Sequence, residues 1–325
     1  MRTRAVTFAR YGPPSVLRVE SVELPPLGPR RVRVRVHAAA LNPKDILVRK
    51  GKLRWLVGRT LPRRTGYDFA GVVEACRSGE YGVQVGQRVF GMLNAQAAGA
   101  MAEHVDVPAT ELAPIPDALS FVDAAAIPLA GQTALQALRD LARVRAGHRV
   151  WIHGASGGVG TFAIQVAKSL GAQVVTTSSA ANLELCRSLG ADEALDYRVD
   201  RPWEQRAAYD AIFDVFGNQR FSKCRAALRR PGAFVSTVPS LRILQATART
   251  LFSSRRARLV LVRSKAADLT WLADQVEWGR LTPRVDRTFP LGQIAQAHAF
   301  IETKRARGKV VVELTGASDD KPGPG

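Results

Sequence analysis

The sequence predicts two domains of different class: a β-rich, barrel-like domain, and an α/β domain built on a doubly wound parallel sheet. Three observations carry this. The chain has 325 residues, more than one hydrophobic core usually organises. Its first third consists of short apolar-alternating pieces broken by Gly and Pro, the pattern of a β domain. From about residue 148, strand-like and helix-like segments alternate, which is the rhythm of βαβ units.

In chain order, "RVRVRV" (31–36) alternates strictly, so Val32, Val34 and Val36 face a core and the arginines a solvated side of an antiparallel strand. "FAGVVEA", "GQRVFGM" and "AEHVDV" continue the strands to about residue 107. Near residue 119 the pattern turns helical in "SFVDAAAIPLAGQTALQALRDLA", with Ser120 as N-cap and Asp123 three residues on. "HRVWIH" then precedes a helix at 158–170, and "QVVTTS" one near 181–189. "AIFDVF" precedes a helix near 219–229, and "GAFVSTV" follows as a strand. "LTPRVDRTFPLGQIAQAHAFIETKRARGKVVVEL" returns to mixed strand and helix, and the tail "GASDDKPGPG" reads as disordered. The domains expected are 1–119 with 266–325, and 120–265.

A composition of 46% hydrophobic and 23% charged residues is that of an ordinary globular chain. No apolar run reaches the roughly 18 residues of a membrane span. "MRTRAVTFAR" lacks the apolar core of a signal peptide. Cys76, Cys186 and Cys224 are odd in number and far apart, which fits a reducing, cytoplasmic setting. The net charge of +19 admits two readings: attraction to an anionic partner (nucleic acid, membrane, phosphorylated ligand), or arginine scattered without function. Between residues 240 and 267, Arg242, Arg249, Arg255, Arg256, Arg258, Arg263 and Lys265 stand with no acid among them. That stretch keeps a rival in view, a nucleic-acid-binding protein with a dinucleotide-sensing fold.

"WIHGASGGVG" (151–160) carries the most chemistry. A strand ending at His153 must turn sharply there, and Gly154, Gly157, Gly158 and Gly160 let the backbone approach a ligand because they have no Cβ. The helix that follows aims its free N–H groups and positive dipole end at the turn, which suits a pyrophosphate. Ser156, Gly157, Gly158 and Val159 are the pyrophosphate-binding candidates. About 20 residues on, where an acid would meet the ribose of NAD, "AQVVTTSSAAN" offers no Asp or Glu. Ser178 and Ser179 stand there instead as donors, which favours NADPH over NADH.

These segments resemble the medium-chain dehydrogenase/reductase superfamily, in its zinc-free, quinone oxidoreductase-like branch. The resemblance spans residues 1–315. It is carried by "YGPPSVLRVE", "VHAAALNPKDI", "GYDFAGVVEA", "VGQRVFGM", "IPLAGQTALQAL", "IHGASGGVGTFAIQVAK", "LGADEALDY", "GRLTPRVDRTFPL" and "ARGKVVVEL". It implies a GroES-like β-barrel domain joined to a Rossmann domain, with nicotinamide in the cleft between them. It also implies that Asn42 and Thr133 contact the nicotinamide as the catalytic residues, and that Tyr197 lies by the adenosine phosphate. Phe216 and Gly217 would line the nicotinamide side, and Lys309 would close the cleft; plain core packing is the alternative for Tyr197 and Phe216. Asp45 and Asp68 match family acids and are expected to hold loops together.

Zinc-dependent relatives place Cys and His ligands where this chain has Asn42 and Tyr67, and the four-cysteine lobe of the second zinc is missing. His37, His104, His148, His153 and His298 have no metal-like spacing, so no metal site is expected. The expected activity is a zinc-independent, NADPH-dependent hydride transfer to a small electrophile, a quinone or an activated C=C bond. A reductase of a specific biosynthetic enone or enoyl thioester is the alternative. Where quinone oxidoreductases carry a tyrosine, two residues after the acid of "NPKD", this chain has Leu47, which makes the pocket more apolar. The basic loop 49–64, with Trp55, is expected to border the pocket. "RLVLV" (258–262) reads as the sheet edge, and the family pairs that edge in a homodimer.

Overall fold

The structure is a computed structural model that describes residues 1–76, 82–94 and 98–314, with backbone alone at Trp55 and Leu56. The tail "GASDDKPGPG" lies outside the described residues. The strands of the first part are β1 (Arg2–Phe8), β2 (Arg18–Glu23), β3 (Arg31–Leu41), β4 (Arg63–Arg64), β5 (Asp68–Ala75), β6 (Arg88–Met92), β7 (His104–Pro108) and β8 (Leu112–Pro114). Helices α1 (Pro43–Arg49), α2 (Arg54–Val57) and α3 (Phe121–Ala126) accompany them. Then come α4 (Pro128–Leu135), a π-helical turn (Gln136–Leu141), β9 (Arg149–His153), α5 (Gly158–Ser169), β10 (Gln173–Ser178), α6 (Leu183–Ser188), β11 (Glu193–Asp196) and β12 (Tyr209–Asp214). The chain continues through α7 (Phe221–Cys224), β13 (Leu228–Ser236), α8 (Leu241–Arg249), β14 (Arg255–Leu259), α9 (Ala266–Glu277), β15 (Val285–Pro290), α10 (Ile294–Glu302) and β16 (Lys309–Glu313).

Two compact units result. The first comprises Met1–Leu129, Arg263–Trp278 and Pro283–Gly325; the second comprises Ala130–Val262 and Gly279–Thr282. In the first, β15-β16-β3-β5-β6-β8 form one sheet with β7 also on β3, and β2-β1-β4 form another. The valines of "RVRVRV" are buried as the alternation demands. Its arginines are not simply solvated: Arg33 grips the Asp106 carboxylate of β7 through Nε (2.8 Å) and Nη2 (2.9 Å). Helix α3 packs on β3 and β5, so this segment joins the first unit rather than the second. Its N-cap is Ser120, whose hydroxyl accepts the Asp123 N–H at 3.1 Å.

The second unit holds a parallel sheet in the order β11-β10-β9-β12-β13-β14. The chain runs outward from β9 on one side and from β12 on the other, the doubly wound order whose switch point lies at the carboxyl ends of β9 and β12. Trp151, Tyr209, Ile212 and Phe234 fill the core beneath it. Two expected elements are displaced. The helix expected over 219–229 ends at Cys224, because Leu228 is drawn into the ladder opposite Tyr209. The edge strand is Arg255–Leu259 and not 258–262, because its register on β13 runs from Gly232↔Arg255 to Ser236↔Leu259.

Candidate active site

In the second unit, β9 ends at His153 and the glycine turn follows. Gly154 has φ +80°, the left-handed region that favours glycine. A Cβ on Gly160 would run into the carbonyl oxygens of Gly154 and Ala155, so this glycine lets α5 close onto the turn. Gly157 differs. It is the N-cap of α5 at φ −82° and ψ 175°, and a Cβ there would meet only the Gly154 oxygen at 3.7 Å. The Gly157 N–H reaches the Gly154 carbonyl at 3.4 Å, while the N–H groups of Gly158 and Val159 are unbonded among the described residues, so an anion can reach the mouth of α5 there. Ser156 accepts from Asn182 Nδ2 at 3.0 Å, which ties the turn to the segment after β10.

Ser178 closes β10 but turns inward: it is buried, donates to the Ser179 carbonyl at 3.3 Å and accepts from Cys186 Sγ at 3.6 Å. Ser179 is half-buried. The strand register puts Asp196 of β11 opposite Ser178. The strand end is thus less free of carboxylate than the sequence suggests, although Asp196 Oδ1 is engaged by the Arg198 N–H at 3.0 Å. Tyr197 is exposed, its N–H bonds to the Ser178 carbonyl at 3.1 Å, and the Arg198 guanidinium lies 5.8 Å from its ring centre. Sequence spacing missed Arg198: strand pairing, not distance along the chain, brings it to the end of β10.

Across the switch point, Asp214 at the end of β12 accepts the N–H groups of Gly217 and Gln219, both at 2.9 Å, and shapes the turn that presents Phe216. Phe216 and Tyr197 are both exposed, which rules out core packing as their role. Gly217 has φ +78°, and a Cβ there would run into the Val238 side chain. His153 is clamped between Thr177 Oγ1 and Asn218 Oδ1, each 2.7 Å away, and burial holds its pKa down. Thr133 is buried in α4.

Burial pushes the Asp214 carboxyl up to about 6 despite its backbone donors. Between about pH 4 and pH 6 the folded protein therefore keeps a proton that the unfolded chain has released. Stability from this group is present below about pH 4 and lost as pH rises to about 6, on the order of 3 kcal/mol at about 1.4 kcal/mol per unit. The unfolding free energy of the wild type minus that of Asp214→Asn should fall by that amount across the window. A difference independent of pH would refute this assignment.

The first unit has its own polar centre. Asn42 follows β3 as the N-cap residue of α1; its N–H donates to Asp45 Oδ2 at 2.8 Å. The residue is 2% exposed. Nδ2 donates to Asp68 Oδ2 at 3.0 Å and Oδ1 accepts from Lys309 Nζ at 2.5 Å. Lys309 also donates to Asp68 Oδ2 at 3.1 Å and to the Leu41 carbonyl at 3.3 Å, so its three donors are spent inside the unit. Asp68 accepts in addition from the Leu129 N–H at 2.9 Å. Burial raises its pKa, and the Lys309 ammonium opposes the rise. Asp45 is likewise lifted to about 6 by burial, and holds the Gly66 N–H at 3.1 Å and the Thr65 hydroxyl at 3.4 Å. Tyr67 is buried under the Lys44 ammonium, 3.7 Å from its ring centre.

Zinc asks for Cys, His or carboxylate in a tetrahedral set. Here an ammonium already bridges the carboxylate and the amide oxygen that a cation would use, and Asn42 and Tyr67 bring no thiolate or imidazole. The residues do not fit zinc. Among the described residues no group of three or more His, Cys, Asp or Glu is arranged to hold a metal. No helix among them is long and apolar enough to cross a membrane.

Two family profiles match the chain: an alcohol dehydrogenase GroES-like domain over residues 28–117, and a zinc-binding dehydrogenase over residues 189–312. The 2-methylene-furan-3-one reductase of Solanum lycopersicum is 33% identical, over 95% of this chain and 78% of its own. The chloroplastic NADPH-dependent alkenal/one oxidoreductase of Arabidopsis thaliana is also 33% identical, over 95% and 79%. Among solved structures, the quinone oxidoreductase from Coxiella burnetii superposes with a TM-score of 0.89 at 32% identity, covering 97% of this chain and all of the other.

Proposed function

The chain belongs to the quinone oxidoreductase-like branch of the medium-chain dehydrogenase/reductase superfamily, and from that premise we propose that it is an NADPH-dependent, zinc-independent reductase of quinones or activated C=C bonds. One observation carries the reading furthest: Lys309 stands on Asp68 and Asn42 where a Lewis acid would need to sit. Without such a cation a simple alcoholate has nothing to stabilise it. An enone or quinone needs less, because its developing charge delocalises away from the carbon that accepts hydride.

The open mouth of α5 at Ser156, Gly157, Gly158 and Val159 would hold the pyrophosphate, with Ser179, Tyr197 and Arg198 at the adenosine end. Arg198 supports a preference for the 2′-phosphate. Phe216 and Gly217, with Asn42 and Thr133 as the family resemblance implies, would contact the nicotinamide. Bound NADPH would supply the hydride. The protein's share is to orient the reactants and exclude water. Lys309 serves in this scheme as a positioning residue that fixes the Asn42 carboxamide, not as a direct contact. The free cysteines, two of them buried, suit a reducing cytoplasm.

The test is NADPH oxidation with quinones, enals, enones and enoyl thioesters, repeated with NADH and after chelation. Turnover of a quinone or enone, insensitive to chelator and faster with NADPH, is the expected result. Activity lost to a chelator and restored by zinc would overturn it.

We further propose a homodimer joined through the β14 edge, which is unpaired among the described residues. Light scattering at micromolar concentration should give twice the 35.2 kDa chain mass. A monomeric mass would end this proposal.

A further inference from the structure

One cation at the Asn42 centre is not spent on a neighbour. Asp45 accepts the Asn42 and Gly66 N–H groups and the Thr65 hydroxyl. Asp68 accepts from Leu129, Asn42 and Lys309, and every donor of Lys309 is engaged. The Tyr67 hydroxyl is buried without a partner among the described residues. Burial pushes it above the ordinary phenol range, against the pull of Arg63 on β4, so it keeps its proton.

That leaves Lys44. It is the second residue of α1, within one helical turn of the N-cap Asn42. It is half-buried, and its ammonium rests 3.7 Å from the centre of the Tyr67 ring. It makes no hydrogen bond and no ion pair among the described residues. Tyr67 leads directly into Asp68, the acceptor of the Asn42 amide, so helix and strand both bring this ammonium beside the centre. Burial lowers its pKa from the ordinary lysine range, while Asp45 on its own helix and Asp68 on β5 pull the other way. A desolvated ammonium that gains no oxygen acceptor in return adds little to the fold. Its protons are free for an oxygen that arrives.

We propose that Lys44 is a catalytic residue of the reductase, the donor that holds the carbonyl oxygen of an enone and protonates the enolate formed there. The inference rests on the reading that Asn42 borders the nicotinamide. As hydride forms its C–H bond at the β-carbon, the C=C pair moves between the α- and carbonyl carbons, and the carbonyl pair moves onto oxygen. Lys44 gives that oxygen a proton and is left as the neutral amine. The enol tautomerises to the saturated ketone, and solvent returns a proton to Lys44, which half-burial permits. Alcohol oxidation gains nothing from this, because an ammonium hands its proton to a localised alkoxide, whereas a delocalised enolate can rest against it.

Two measurements test the proposal. At saturating NADPH, with an enone that the wild type reduces, Lys44→Met should lower kcat about 100-fold with little change in the KM for NADPH. Wild-type kcat should fall on the alkaline side as Lys44 loses its proton, at a pH below the ordinary lysine range. Lys44→Arg keeps a charge that does not titrate there, so its profile should lose that fall. A lysine that only packs on Tyr67 would move neither limb of the profile. The second measurement needs no cofactor: the protein alone is titrated with 4-nitrophenolate, a planar oxyanion like the enolate, and followed by absorbance. Lys44→Met should bind it about 30-fold more weakly than the wild type. Equal phenolate affinity, full kcat in Lys44→Met, or an alkaline fall retained in Lys44→Arg would overturn the proposal. If circular dichroism shows Lys44→Met unfolded, the Lys44→Arg profile decides. A wild type that oxidises NADPH with no acceptor would sink the reductase reading and the proton transfer with it, and the phenolate titration would still decide whether Lys44 holds an oxyanion.

Discussion

Replacing Gly157 by aspartate is expected to weaken NADPH binding by roughly 100- to 1000-fold and to leave the fold intact. The backbone at Gly157 is extended, so any residue can adopt it, and the nearest atom to an added Cβ is 3.7 Å away. Aspartate is moreover a favoured N-cap, and its charge suits the positive end of α5. Stability should therefore hold or rise by about 0.5 kcal/mol. The same carboxylate would occupy the N–H groups meant for the pyrophosphate and repel it at close range. Gly160→Ala supplies the contrast, since its Cβ meets the Gly154 and Ala155 carbonyls and should lower the melting temperature. Fluorescence titration with NADPH and thermal unfolding of both variants separate the binding glycine from the packing glycine. A Gly157→Asp protein that binds NADPH normally would show that the turn holds something else.

That turn was legible in the sequence because the chemistry is local. Four glycines between an apolar strand and a helix leave few other uses, and the structure puts Gly154, Gly157 and Gly160 to distinct ones. The centre around Asn42 was legible only as separate letters. Its partners Asp68 and Lys309 lie 26 and 267 residues away, and no periodicity encodes which amide faces which ammonium. Only the ladders β16·β3 and β3·β5 bring the three together. Arg198 was missed for a like reason, since β11 delivers it beside β10. The displaced edge strand shows a third limit. "RLVLV" looks more like a strand than "RRARL", yet the register on β13 decides the pairing, and backbone bonds outweigh side-chain preference there.

Lys309→Met is expected to cost more than any other single change in the first unit. It removes the ammonium from a fully buried carboxylate and leaves Asp68 with only the Leu129 N–H and the Asn42 amide. Breaking such a pair from one side costs about 3–5 kcal/mol. The loss should depend on pH in a definite direction. Burial raises the Asp68 pKa even with Lys309 present, so without it the variant folds best with that carboxyl protonated. The deficit against the wild type should therefore be small in acid and grow as pH rises towards neutrality. Asp68→Asn added to Lys309→Met removes the stranded charge, and the double variant should be more stable than Lys309→Met alone. Turnover should behave differently. Asn42 Oδ1 loses its Lys309 donor in both variants, so kcat should drop on the order of tenfold in each while the KM for NADPH changes little. Urea unfolding at acid and neutral pH, with kinetics on the same preparations, decides the matter. If the double variant is no more stable than the single one, the ammonium is not compensating Asp68. If kcat returns with stability, Lys309 holds the fold and not the Asn42 carboxamide.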